Sequence, residues 1–108
     1  MSEQTNRLRG AAIARALRGP GLSDADARLA AFANADVDGR LRSLIDKVAR
    51  TAWKVTDEDV AAVKRAGLSE DEIFELVVCA AFGESSRQLT SALAALDTAA
   101  ARALEGDR

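Results

Sequence analysis

The segment Thr56-Asp-Glu-Asp-Val-Ala-Ala-Val-Lys-Arg-Ala-Gly-Leu-Ser-Glu-Asp-Glu-Ile73 reads as two helices meeting at a glycine. Thr56 caps the first helix, and Asp59 at its third position makes an approximate capping box, the shorter Asp standing where Glu is usual. Val55 just before the cap and Val60 inside the helix can close a hydrophobic staple. Gly67 suits the left-handed residue that ends such a helix, and Leu68 would then pack back on Val63 in a Schellman contact. Leu68 also precedes the next helix, where Ser69 caps, Glu72 completes a full capping box and Ile73 offers the staple partner. Local chemistry alone therefore predicts a helix-corner-helix here.

On the C-terminal side, Glu70 to about Phe82 is apolar nearly all round, which predicts burial on most sides. Gly83 reads as an interruption or a kink. A last helix from about Glu84 to Leu104 carries Leu89, Leu93, Leu96, Ala100 and Ala103 in a 4-3-4-3 spacing, a coiled-coil-like seam. The tail Glu105 to Arg108 is expected to fray.

On the N-terminal side, Asp38 or Gly39 to Lys54 places Leu41, Leu44, Ile45, Val48 and Ala52 on one helical stripe. Asp38, Arg42, Asp46 and Arg50 form an i, i+4 ladder on the solvated side. Ser23 is read as the cap of a helix over Asp24 to Asn34, with Asp24 and Asp26 suiting its positive end. Few large apolar residues, Leu29 and Phe32, mark that helix as peripheral. Asn6 to Arg18 makes the first helix, with Ile13 and Leu17 on one face, and Gly19-Pro20-Gly21 then breaks the chain. No segment alternates with period two, so no strand is expected. The prediction is one all-α domain over 1–108 with five or six helices, 1–35 peripheral and 38–104 the core.

Composition narrows function. Of 108 residues, 48% are hydrophobic, but there are only three Phe, one Trp and no Tyr, so the core is thin and self-association is expected. A net charge of −2 gives no global field for nucleic acid or anionic lipid. The lone Cys79 cannot form an internal disulfide, which fits a reducing cytoplasm. No apolar run is long enough for a membrane span, and the N-terminus has no apolar core of signal-peptide length. The absence of His removes nucleophile-His-acid triads, most zinc sites and Glu-x-x-His di-iron sites. No Gly-rich phosphate loop occurs, and neither metal nor cofactor is expected.

The phrase Ala66-Gly-Leu-Ser-Glu-Asp-Glu-Ile-Phe-Glu-Leu-Val-Val-Cys-Ala-Ala81, within Val55 to Leu96, resembles the alkylhydroperoxidase D / carboxymuconolactone decarboxylase family. The resemblance covers about half the chain and implies an all-helical, oligomeric fold. In the peroxidase branch a Cys-x-x-Cys-x-x-x-His motif precedes that glycine. Counting back from Gly67 puts the cysteines at Ala52 and Val55 and the His at Asp59. Ala and Val can neither attack an O–O bond nor resolve a sulfenic acid, so two-cysteine peroxidase chemistry is excluded. The decarboxylase branch also lacks the cysteine pair but keeps the His, which is Asp59 here.

Five residues remain as candidates. Asp59 could be an acid/base if burial raised its pKa, against the plainer reading of a helix-start acid. Trp53 and Lys54 fall where the resemblance places an active site; Trp53 reads as pocket wall, core or subunit interface. Cys79, among Val77, Val78, Ala80 and Ala81, reads as a small buried hydrophobe or as part of that pocket. Arg87 reads as an ordinary partner of Glu75 or Glu84, or as an anion holder. Arg7, Arg15 and Arg18 make a basic face on the first helix, read as solvated in preference to a contact with nucleic acid or a membrane. The expected function is a non-catalytic oligomeric module that binds a partner or a small anionic ligand in a degenerate pocket. The alternative is a cysteine-independent decarboxylase or isomerase using Asp59, with Arg87 or Lys54 holding an anionic substrate.

Overall fold

A computed structural model describes residues 2–106. It contains α1 (Glu3–Arg18), α2 (Ala25–Ala33), α3 (Arg42–Arg50), a 3-10 turn (Ala52–Lys54), α4 (Asp57–Arg65) and α5 (Glu70–Gly106), with no strand among the described residues. Among the described residues, no helix is long and apolar enough to cross a membrane.

The corner at Gly67 forms as its sequence dictates. Thr56 Oγ1 accepts from the Asp59 N–H at 3.2 Å, and Asp59 Oδ2 accepts from the Thr56 N–H at 2.9 Å. Gly67 takes φ +110°, and the Leu68 and Gly67 N–H groups reach back to the Val63 and Lys64 carbonyls at 3.4 and 3.0 Å. That pair of bonds is the Schellman motif, and Leu68 and Val63 are both buried. The Ser69–Glu72 box closes with two bonds of 3.1 Å.

Helices α1 to α3 depart from the sequence reading in boundary and role. Ser2 caps α1 through the Thr5 N–H, so the helix starts at Glu3 rather than Asn6. Asp24, not Ser23, is the cap residue of α2, and its side chain makes no capping bond. Helix α3 stops at Arg50, where Thr51 takes φ −143° and ψ 56°, and the chain then tightens into the 3-10 turn. Leu41, Leu44 and Ile45 are buried as the stripe predicts, but Ala49 replaces Ala52 at its end. In the ladder, Asp46 and Arg50 pair at 2.9 Å, while Asp38 turns to Arg40 instead.

Helix α2 is not peripheral. It packs on α5 more extensively than any other helix does, and Ala31 and Arg28 are buried. Gly83 permits that approach. A Cβ there would lie 1.8 Å from the Phe32 carbonyl oxygen. The glycine therefore neither breaks nor ends the helix, and α5 runs unbroken for 37 residues. At 1.5 Å per residue this helix is about 55 Å long. It sets the long axis of a molecule measuring 63 × 28 × 22 Å. The radius of gyration, 17.2 Å, exceeds the ~13 Å of a compact chain of about this length.

One core joins all five helices and their loops. Leu17, Ala31, Leu44, Ile45, Val63, Ile73, Leu76, Cys79 and Ala80 belong to it. Only the first half of α5 contributes: Ile73, Leu76, Cys79, Ala80 and Gly83 are its buried residues. From Ser91 to Gly106 every residue is exposed. The predicted seam is therefore unpartnered within the chain, and Leu93, Leu96 and Leu104 are 42%, 65% and 69% exposed. Of the tail expected to fray, Glu105 and Gly106 are helical, and Asp107 and Arg108 lie outside the described residues.

Candidate functional site

The sequence-predicted candidates are spread over the molecule. Asp59 is held by α4's first turn, and its two oxygens accept from Lys47 Nζ at 2.8 and 2.9 Å. The Lys47 ammonium, then the Thr56 N–H, keep its carboxyl below the ordinary value. This is the direction opposite to the one a general acid requires.

Trp53 and Lys54 stand on the 3-10 turn, both exposed. Trp53 is 79% exposed, which corrects its reading as a core residue. It edges an open depression of about 240 Å³ floored by Ala81, Ser85 and Gln88 of α5. Arg87 edges another, of about 380 Å³, with Asn34 and Arg50. Its guanidinium is already engaged, donating to the Phe32 carbonyl at 2.8 Å and to Glu84 at 3.2 and 3.3 Å. The pairing with Glu84 is one of the two expected; Glu75 has other partners. Cys79 is buried, its thiol 3.5 Å from the Ala16 carbonyl of α1, and burial pushes its pKa up. A raised pKa in a closed site disfavours the reactive thiolate. Trp53 and Arg87 thus line adjoining depressions that share Arg50 and Glu84, and Cys79 is shut off against α1.

A different constellation lies where α1, α2 and α5 meet. Arg28, in the middle of α2, is only 7% exposed. Its Nη1 donates to the carbonyls of Ala16 and Gly19 at 3.2 and 2.8 Å, satisfying acceptors at the C-terminal end of α1. Its Nε is buried and has no partner. No carboxylate among the described residues comes within ion-pair distance of it.

Beside it, Glu75 of α5 faces the loop that the Gly19-Pro20-Gly21 break creates. Its carboxylate accepts from the Ser23 hydroxyl at 2.5 Å, the Leu22 N–H at 2.7 Å and the Ser23 N–H at 2.8 Å. Those three donors, the hydroxyl first, hold Glu75 below the ordinary carboxylate range. Ser23 is thereby spent on α5 rather than on capping α2. Gly21 makes room, since a Cβ there would lie 2.8 Å from Glu75 Oε1.

Above Arg28 and Glu75 opens a cavity of about 320 Å³. Ala12, Ala16, Pro20, Phe74 and Val78 give it apolar walls, and Arg15 stands among its lining groups. That volume falls at the lower end of small-molecule sites, which are mostly apolar with a few placed polar groups. The sequence reading missed this site. Its traces there were an acidic residue within the apolar run of α5 and an arginine between Ala27 and Leu29 in α2.

Among the described residues, no group of three or more His, Cys, Asp or Glu side chains could hold a metal ion. Comparison of the chain with models of protein families, with curated proteins and with solved structures finds no match.

Proposed function

We propose that this chain is a non-catalytic helical module that self-associates through the second half of α5, on a scaffold of the alkylhydroperoxidase D type whose redox site has degenerated. The observation that carries the reading is the bare helix from Ser91 to Gly106 with three exposed leucines. Such a face is wasteful in a monomer, because each buried leucine is worth roughly 1.5–3 kcal/mol. The occupant is a second copy of the same helix. From Leu89 to Gly106 the only charged residues are Asp97, Arg102 and Glu105, so the surface is nearly neutral and can face itself without repulsion. The alanines between the leucines let two such helices approach closely.

The state of Asp59 supports a non-catalytic role. It is ionised, capped and paired with Lys47, and so is a structural acid at the start of α4. The decarboxylase or isomerase alternative needs that carboxyl free and its pKa raised.

Sedimentation at micromolar concentration tests the proposal. The wild-type chain should run as a dimer or larger. The double variant Leu93→Lys/Leu96→Lys should run as a monomer with unchanged helicity, and Asp59→Asn should leave the mass unaltered. A monomeric wild type would refute self-association. Lactone or peroxide turnover that Asp59→Asn abolishes in a folded protein would establish an enzyme instead.

A further inference from the structure

A buried arginine without a counter-ion is costly unless something completes it. Arg28 is such a residue: buried, bonded only through Nη1 to two carbonyls, and beyond ion-pair distance of any described carboxylate. Arg28 Nε is sealed from solvent as well as unpartnered, so a ligand in the cavity can meet only Nη2, which makes no bond to a described residue and offers one charge-assisted N–H donor. Glu75 is near enough for the charge of Arg28 to help hold its pKa down, but its carboxylate is turned to Leu22 and Ser23 and makes no bond to Arg28. Beside the charged Arg15, Arg28 and Glu75, the cavity has walls of Pro20, Phe74 and Val78, surfaces that suit hydrocarbon.

We infer that the cavity bounded by α1, α2 and α5 binds a small monocarboxylate with an apolar chain or ring, its carboxylate on Arg28 and its hydrocarbon along Phe74 and Val78. Charge selects the headgroup. Arg15, Arg28 and Glu75 leave one net positive charge at the site, which a monoanion neutralises. A dianionic phosphate would face the ionised Glu75 with charge left over. A volume of about 320 Å³ accommodates a short chain or a single ring. This site is separate from the distal half of α5 and does not depend on self-association.

Backbone amide shifts in a titration of the full chain test the assignment, with octanoate, octanol and octyl phosphate as probes. Octanoate should give saturable shifts at Ala12, Ala16, Phe74 and Val78, and octanol, lacking the charge, should bind at least about tenfold more weakly. Arg28→Gln removes the charge and should weaken octanoate about tenfold. Because Arg28 also ties down the end of α1, a second variant guards against misfolding. Phe74→Ala removes an exposed ring from the wall and should weaken octanoate about threefold while leaving the fold intact. Equal binding of octanol and octanoate would overturn the role of Arg28. Tighter binding of octyl phosphate would overturn the carboxylate assignment. Shifts confined to Leu93 through Leu104, or none at all, would overturn the site.

Discussion

The two halves of α5 both carry apolar side chains, Ile, Phe, Val and Cys in the first and Ala and Leu in the second, and they live in different surroundings. Leu76 is 1% exposed and Leu96 is 65% exposed, on one unbroken helix. The first half is held by packing: α1, α2, α3 and α4 all lie against it. The second half has only its intrinsic preference, and its run of Ala and Leu has among the highest helix propensities. Continuation from an already formed helix spares it the cost of nucleation. Apolar content therefore does not report burial in this chain. What separates the halves is whether a partner surface is present, and the first half has one because α2 comes so close at Gly83.

The sharpest way to break this contrast is a matched pair of truncations. Leu76→Ala should cost about 2–5 kcal/mol of unfolding free energy, as for a fully buried leucine. Leu96→Ala should cost no more than about 0.5 kcal/mol in dilute protein, where self-association is absent. Chemical denaturation monitored by circular dichroism measures both, and equal losses would mean that the distal half is packed on the body after all.

A smaller effect is expected at the point of closest approach. Gly83→Ala forces a methyl group toward the Phe32 carbonyl and should destabilise by about 1–3 kcal/mol through displacement of α2. In an ordinary helix interior the same change stabilises by up to about 1 kcal/mol. The sign of the measured change therefore decides whether the contact exists.

The smallest effect concerns the carboxylate that ties the 19–23 loop to the first half. Glu75 has a folded pKa depressed from 4.5, so the stability it contributes is present above that value and is lost as pH falls through the lower folded one. Glu75→Gln should remove that acid-dependent component and cost about 1 kcal/mol at neutral pH. Urea midpoints measured across acidic pH would show it, and an unchanged acid limb would contradict the three-donor geometry.

What the sequence discloses follows the same divide between local and distant causes. The corner at Gly67 was fully legible, because capping boxes and the Schellman bond connect residues at most five apart. The buried stripe of α3 and the burial of Cys79 followed from periodicity and neighbours. The role of α2 was hidden because its contact surface is made of Ala31, a buried arginine and a backbone carbonyl rather than large apolar side chains. Gly83 looked like a break because its partner, Phe32, is far away in sequence. Ser23 looked like a cap because a carboxylate on α5 competes for it. The cavity over Arg28 was illegible for the same reason: three helices supply it, and only tertiary packing brings Ala12, Pro20, Arg28 and Glu75 together.

The close seating of Gly83 against Phe32 has a mechanical corollary. Beyond that pivot the helix runs on to Gly106 as a rigid rod of about 35 Å. A tilt of about one degree where the rod is clamped displaces its tip by about 0.6 Å, given that length. Small adjustments of α2 are thus geared up into larger excursions of the leucine-bearing arm, and the Gly83 contact, with the Arg87–Phe32 and Arg9–Ser86 bonds just beyond it, sets how steadily that arm is aimed.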